Sequence, residues 1–221
     1  MSSAAIQLIV LAGIALFLVL RLKNVLGTRD GFEGQEKPKP LPSSAKGKRP
    51  ELEVIEGGFD HDISDHIDVK STPGQALALM KKAEPTFQVT DFMNGARGAY
   101  EMILMAFESG DLQTLRQFLS DDVYTSFSSV VETRAREGLT IEANFLGVRE
   151  LKLTSAEFDK NTKEAEITLR FVGELSSVVR DKTGEIVEGN PDEVKRQKDV
   201  WTFSRILGSN DPNWQLVATG G

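Results

Sequence analysis

The chain has 221 residues, two histidines and no cysteine, a composition that excludes disulfides, thiolate metal sites and a cysteine nucleophile. Its formal net charge of -7 is unevenly spread, because residues 21–50 carry eight Lys/Arg and three Asp/Glu while residues 51–221 carry 18 and 30. An acidic body of this kind argues against nucleic acid as a partner, since phosphate binding requires a basic surface.

The amino-terminal stretch "AAIQLIVLAGIALFLVL", residues 4–20, contains no charged side chain. As a helix it spans roughly 26 Å, which is enough for the hydrocarbon core of a bilayer. A cleaved signal peptide is the main alternative, but it would need a basic residue before the apolar run, and none is present. We therefore predict that residues 1–27 form a single-pass transmembrane anchor with a basic flank.

Arg21, Lys23 and Arg29 follow the apolar run, and their position predicts the topology of the chain. The positive-inside rule places the amino terminus outside and the rest of the chain in the cytoplasm. The same three side chains are candidate contacts to anionic lipid head groups. The alternative is that the basic residues of this region are solvated and only set the topology.

Residues 28–72 are rich in Gly, Pro, Ser and charged residues, and the run "EKPKPLPSSAKGKRP" cannot bury enough apolar surface to fold alone. We predict that this segment is a disordered tether. Its end, "FDHDISDHID", holds both histidines, His61 and His66, among aspartates. Imidazole and carboxylate both bind metals, but the spacing matches no metal motif, so a solvated acidic tether is the preferred interpretation.

Four helices are predicted after the tether from apolar residues at helical spacing. We expect them at about residues 72–83, 91–109, 111–119 and 121–137, with Thr72 as the N-cap of the first.

The second predicted helix carries Gly95 and Gly98 in its interior, and each glycine costs about 1 kcal/mol relative to alanine. Apart from a narrow stripe that contains Arg97 and Glu101, its surface is apolar or small, which predicts a helix buried on most sides. The two glycines would then allow a neighbouring backbone to approach closely. A phosphate-binding loop is the alternative, but that loop requires glycines at a strand-to-helix turn.

From residue 140 onwards apolar residues alternate with polar ones, a pattern that predicts β-strands separated by the turns "DKNTKE", "DKTG", "NPD" and "GSNDPN". Helices followed by antiparallel strands predict an α+β fold, in which the helices pack across one face of a curved, mainly four-stranded sheet. Such a sheet commonly encloses a cavity. The aromatic residues that we expect to line it are Phe107, Phe127, Phe145 and Trp201.

Three separated segments are familiar together: "FMNGARGAYEMILMAFESGDLQTLRQFLSDDVYTSF", "GEIVEGNPDEV" and "DVWTFSRILGSNDPNWQLVAT". They resemble the Tim-forty-four-like domain family, and the resemblance covers residues 73–221. It implies a cone-shaped α+β fold, similar to the nuclear-transport-factor-two superfamily, with a large apolar pocket. It also implies adaptor work at an inner membrane and supplies no catalytic motif.

The mitochondrial members of this family attach a heat-shock chaperone to a translocation channel and touch cardiolipin. Much of the chaperone contact belongs to a long N-terminal region that has no counterpart in residues 1–72. The predicted anchor and polar tether resemble the bacterial members instead. Membrane tethering is therefore the better supported expectation for this chain, and chaperone recruitment is less so.

Three classes of function follow from these observations. An enzyme would need acid–base groups in the pocket, and Tyr100 and Tyr124 are the candidates, but no catalytic motif accompanies them and we expect no catalysis, cofactor or metal. The favoured interpretation is a membrane-anchored adaptor or scaffold that holds a protein-binding domain at the cytoplasmic face of a bacterial inner membrane. Its partner is an unidentified protein, linked to protein translocation or membrane-protein quality control. The alternative is a carrier that binds a lipid or hydrophobic peptide in the pocket.

Overall fold

A computed structural model describes residues 60–220, and the first half of this region is helical. Gly110 and Gly138 adopt the left-handed conformation and end the two longest helices, as glycine does without steric cost. The helices, numbered α1 to α5, are His61–Ser64, Thr72–Ala83, Val89–Ser109, Leu112–Phe118 and Asp121–Glu137.

The predicted anchor, residues 1–27, lies outside the described residues, as do its candidate lipid contacts Arg21, Lys23 and Arg29. Among residues 60–220, no helix has the length and apolar character needed to cross a membrane.

The second half of the domain is a five-stranded antiparallel sheet. Its strands, numbered β1 to β5, are Thr140–Phe158, Glu164–Arg180, Ile186–Gly189, Lys195–Ile206 and Gln215–Gly220. The long strands follow the order β1-β2-β4-β5, and the short β3 pairs with the end of β2. Three register shifts interrupt the β1–β2 ladder, and such bulges bend and twist a sheet. The predicted α+β fold with helices on an antiparallel sheet is confirmed, with one short strand added.

The core lies between α3 and the inner face of the sheet. The ring of Tyr100 stacks on the ring of Phe171 of β2, with centroids 4.4 Å apart and an angle of 6° between the planes. Phe203 of β4 meets Phe92 edge to face at 6.1 Å. Burial follows the expected periods, with every second residue of β2 and every third or fourth residue of α3 enclosed: Ala165, Ile167, Leu169 and Phe171 on the strand, and Phe92, Ala96, Tyr100 and Ile103 on the helix.

The prediction that α3 is buried on most sides is wrong. Gly95 and Gly98 are exposed, and a Cβ atom built on either glycine would meet nothing within 4 Å. Met102, on the same side of the helix, is 46% exposed. Within residues 60–220 no neighbouring backbone packs on this side, because glycine contributes no apolar side chain that burial would stabilise. The helix therefore has one covered face and one open face.

The prediction of a tether over residues 28–72 is corrected for residues 60–71, which are folded onto the domain. Asp60 caps α1 by accepting a hydrogen bond from the backbone N–H of Asp62. Ile63 is fully buried, and Ile67 and Val69 pack against the core. So few apolar contacts are not visible in the average composition of the segment. Ser71, rather than Thr72, is the N-cap of α2 and accepts from Gly74 N–H.

Asp62 explains why this short segment is fixed. Gln88, the N-cap residue of α3, makes no side-chain capping bond, so the first N–H groups of the helix need another acceptor. The carboxylate of Asp62 accepts from Val89 N–H at 2.7 Å and from Thr90 N–H at 2.9 Å. It also pairs with Lys81 of α2 at 2.9 Å. The segment before α2 therefore caps α3 and connects the two helices.

Candidate protein-binding groove beside the central helix

A groove of about 460 Å³ runs along the first two-thirds of α3. Its floor is the helix surface, where the three lining residues directly before Met102 have no side chain or a single methyl group: Gly95, Ala96 and Ala99. Met102 lies at one end of this floor and is nearly half exposed, so the core of the domain does not require it. The residues that set the shape of the groove are Gly95, Ala96, Ala99 and Met102 on the floor, and Phe118 and Trp214 on the sides.

An aromatic cluster holds the Trp214 wall in place. The Trp214 ring lies 4.6 Å from the ring centre of Phe92 and 5.9 Å from that of Phe87. Both phenylalanines are buried, and they hold the indole against the domain. A wall that is already ordered loses little side-chain entropy when a ligand binds. The aromatic wall of the groove is therefore formed before any partner arrives.

A partly buried ion pair closes the polar end of the groove. Arg205 of β4 donates to the carboxylate of Glu84 and to the carbonyl of Pro212, and its guanidinium lies 5.5 Å from the Trp214 ring centre. Burial alone would raise the pKa of Glu84, but hydrogen bonds from Arg205 and from Gly208 N–H hold that pKa below its usual value. The two charges neutralise each other, so this end offers no strong attraction to an ionic ligand.

The four aromatic residues predicted to line a pocket lie in two separate clusters. Phe107 of α3 and Phe127 of α5 pack against each other at 4.8 Å. Phe145 of β1 and Trp201 of β4 both pack on Tyr100, at 6.1 Å and 4.7 Å. The structure does not bring the four together, and none of them lines the groove. Trp201 is 3% exposed and belongs to the core.

The two tyrosines that an enzyme would use are engaged in packing. Tyr100 is fully buried, and its hydroxyl donates to Asp199 Oδ2 at 2.7 Å. Burial and the neighbouring carboxylate raise the pKa of Tyr100 far above its usual value. Tyr124 is half-buried on α5, under the guanidinium of Arg116 at 4.7 Å. Neither tyrosine lines the groove.

Residues 60–68, which contain both histidines, cap α3 and hold the segment against α2 and α3. Asp60 and Asp62 both bind Lys81, and the ring of His66 makes a 3.1 Å hydrogen bond with the Thr90 hydroxyl. Within residues 60–220 no group of His, Asp and Glu side chains has the arrangement needed to hold a metal ion.

The groove was not predicted from the sequence, and long-range pairing explains why. Glu84 and Arg205 are 121 positions apart, and no local pattern indicates that they meet. Trp214 directly follows the predicted turn "GSNDPN", where a strand is expected to begin, whereas β5 begins at Gln215. The one available signal was the run of small residues on α3, and it was interpreted as a buried contact.

Comparison with known proteins identifies the relatives of this domain. The family model described as "Tim44-like domain" matches residues 74–221. The human mitochondrial import inner membrane translocase subunit TIM44 is 25% identical over 159 residues, which are 71% of this chain and 35% of that protein. Arabidopsis thaliana subunit TIM44-1 is 24% identical over 162 residues, or 70% of this chain and 34% of the relative. The chain thus spans about a third of the length of these curated relatives.

Among solved structures, the intermembrane space region of the chloroplast protein ARC6 is 12% identical and has a TM-score of 0.36, covering 56% of this chain and 94% of that one. That likeness is too weak to support an inference. The family model, by contrast, matches more than half of the chain, from the first turn of α2 through the last strand. The resemblance found in the sequence is confirmed, and the chain belongs to the Tim44-like domain family.

Proposed function

We propose that the protein is a membrane-anchored adaptor whose domain holds an apolar segment of a partner protein in the groove beside α3. It works at the cytoplasmic face of a bacterial inner membrane, in protein translocation or membrane-protein quality control, and it catalyses no reaction. The names of its relatives, subunits of an import translocase of the mitochondrial inner membrane, support a task of this kind.

The observation that carries the proposal is the open face of α3. Two glycines in a helix interior reduce helix stability by about 1 kcal/mol each, and neither is required by packing within the domain. At Gly95 the missing side chain deepens the groove beside Trp214. Large aromatic side chains and exposed methionine are enriched where proteins bind each other. A bare helix surface between such side chains suits an apolar side chain or helix of a partner.

The basic residues after the apolar run and the predicted tether support the membrane part of the proposal. A tether holds the domain near the bilayer, which raises its effective concentration for a partner in or at the membrane. The affinity of the groove can then be modest. A groove of this volume would also suit a small ligand, so lipid binding is the competing outcome that an experiment must separate.

Gly95→Leu and Gly98→Leu form a matched pair for the test. Both positions are exposed on α3, and a Cβ atom at either would meet nothing within 4 Å. Both variants should therefore fold and gain helix propensity. Only Gly95 lines the groove. In native membranes, we expect crosslinking followed by mass spectrometry to recover a protein partner with Gly98→Leu and with the unmodified chain. Recovery should fall about tenfold with Gly95→Leu, because leucine occupies the groove.

Equal recovery of the partner with both variants would contradict the proposed docking site. If Gly95→Leu instead removes a co-purified lipid and leaves protein adducts unchanged, the carrier interpretation replaces the adaptor.

A further inference from the structure

A second cavity, of about 500 Å³, lies at the C-terminal end of α3. We call it the distal cavity. It is bounded by Met105, Glu108 and Ser109 of α3, by residues 141–144 of β1, by residues 176–178 of β2, and by Pro191 in the turn before β4. It shares no residue with the groove.

Glu108 places a carboxylate in the wall of this cavity without a direct partner. Burial raises the pKa of Glu108, while the positive charges of Arg134 and Lys195 act in the opposite direction. Arg134 is engaged elsewhere, since its guanidinium donates to the Phe107 carbonyl at 3.2 Å and lies 4.3 Å from the Phe107 ring centre. Within residues 60–220, Glu108 forms neither a hydrogen bond nor an ion pair. It is therefore a half-buried carboxylate that lies in the field of two positive charges, Arg134 and Lys195, and contacts neither of them.

Two other polar side chains of the lining, Glu142 and Ser109, already have partners within the domain. The carboxylate of Glu142 is paired with Arg180 at 3.0 Å, and the hydroxyl of Ser109 donates to the Met105 carbonyl at 2.8 Å. Met105, Ile141 and Val178 provide apolar wall. The rest of the lining includes the amide and hydroxyl oxygens of Asn144, Ser176 and Ser177. Apolar wall together with polar oxygens and the unpaired carboxylate of Glu108 matches a lysine side chain, which has a hydrocarbon stem and an ammonium head.

The surface beside the cavity also combines apolar side chains with negative charge. The stretch that forms β3 and the following turn exposes three large apolar side chains, Ile186, Val187 and Val194, at 40%, 38% and 50%. Pro191 of this turn is itself part of the cavity wall. The acidic side chains of the same stretch are all exposed: Glu185, Glu188, Asp192 and Glu193. An apolar surface with negative charges around it complements a segment that is both apolar and basic.

We propose that the distal cavity is a second binding site, which takes the ammonium group of a lysine side chain from an extended, basic and partly apolar segment of a partner protein. The ammonium group pairs with Glu108, and the flanking residues of the segment lie on the exposed apolar side chains of β3 and its turn. The site is separate from the groove and does not depend on what the groove binds.

The test uses the full-length protein in mild detergent and two short fluorescent peptides. Both peptides alternate valine with threonine, and they differ only at the centre, where one has lysine and the other the uncharged norleucine. We expect the lysine peptide to bind about tenfold more tightly by fluorescence anisotropy, because it alone neutralises the half-buried carboxylate. Glu108→Gln should remove this preference, whereas Glu101→Gln, an exposed position on the same helix that borders neither cavity, should keep it.

Equal affinities of the two peptides for the unmodified protein would overturn the proposal, and so would an unchanged lysine preference in Glu108→Gln. The peptide comparison on the unmodified chain is decisive even where the variant folds poorly. Gly95→Leu, which fills the groove, should leave the lysine preference unchanged, so the groove and the distal cavity are tested separately.

Discussion

Gly98 and Gly173 differ in whether the surrounding structure leaves room for a side chain. A Cβ atom at Gly98 would meet open space, whereas one at Gly173 would lie 2.7 Å from the hydroxyl oxygen of Tyr100. Tyr100 cannot move aside, because its ring is stacked on Phe171 and its hydroxyl is bonded to Asp199. Glycine at position 173 is thus a packing requirement, while glycine at position 98 is not.

Alanine substitutions at these two glycines should therefore change stability in opposite directions. We expect Gly98→Ala to raise the free energy of unfolding by about 0.5–1 kcal/mol through its better helix propensity. Gly173→Ala should lower the free energy of unfolding by about 1–3 kcal/mol through overpacking. Urea unfolding of a fragment covering residues 60–221 measures both. A loss of stability in Gly98→Ala would mean that the open face of α3 is covered after all.

The residue scale is also where prediction from the sequence was weakest. The burial of residues such as Ile167 and Phe171 agrees with the predicted alternation of apolar and polar residues, because alternation along a strand depends on burial alone. The walls of the groove depend on partners far apart in the chain, as with Glu84 and Arg205. Gly95 was misassigned because a residue without a side chain gives no signal about which face is buried.

At the scale of elements, Asp62 caps α3 and so fixes residues 60–71 to the domain. The polar composition of this segment had predicted a tether. Replacing Asp62 with Asn keeps one oxygen acceptor but removes the charge that binds Lys81 and two N–H groups. We expect Asp62→Asn to lower the free energy of unfolding by about 1–3 kcal/mol at pH 7, as for other hydrogen bonds to charged groups. Asp65→Asn, exposed in the same segment, should change it by less than about 0.5 kcal/mol.

The contribution of Asp62 should also depend on pH. Burial would raise the pKa of Asp62, but hydrogen bonds from Thr90, Lys81 and Val89 outweigh it and lower the pKa far below 3.8. The stabilisation is thus complete above the unfolded-state pKa of about 3.8 and is lost as the pH falls below that value. Acid unfolding of the 60–221 fragment should show this loss in the unmodified chain and a shallower dependence in Asp62→Asn. Parallel acid profiles for the two would contradict the capping role.

The elements themselves were largely predictable. The predicted helix bounds near residues 72–83 and 121–137 agree with the structure, because apolar residues at helical spacing mark both helices. The glycine after α5 also marks the end of the second. The short strand β3 was missed, since Ile186 and Val187 are exposed and four residues provide no alternation. Residues 60–71 were misassigned because a few contacts fix them without changing the polar composition of the segment. These contacts are made by Ile63, Ile67, Val69 and the carboxylate of Asp62.

At the scale of the whole molecule, α3 organises two candidate binding sites. The groove lies along its first two-thirds, and the distal cavity lies at its C-terminal end. The groove combines a bare helix surface and aromatic side chains with a neutralised ion pair at one end. The distal cavity presents Glu108, a carboxylate without a partner among residues 60–220, beside an apolar and acidic surface. A domain with two sites of different chemistry can contact two parts of one partner, or two partners, which suits the proposed work of an adaptor.

Photocrosslinking from inside the groove tests this proposal most directly. A photoreactive amino acid is placed at Met102 in the full-length protein, and in a control at Leu146, which is exposed to 53% but lines neither the groove nor the distal cavity. After illumination of intact membranes, we predict a discrete protein adduct from position 102 that is absent from position 146 and that Gly95→Leu abolishes. Adducts with lipid alone at position 102, or the same protein adducts at both positions, would contradict a protein-binding groove.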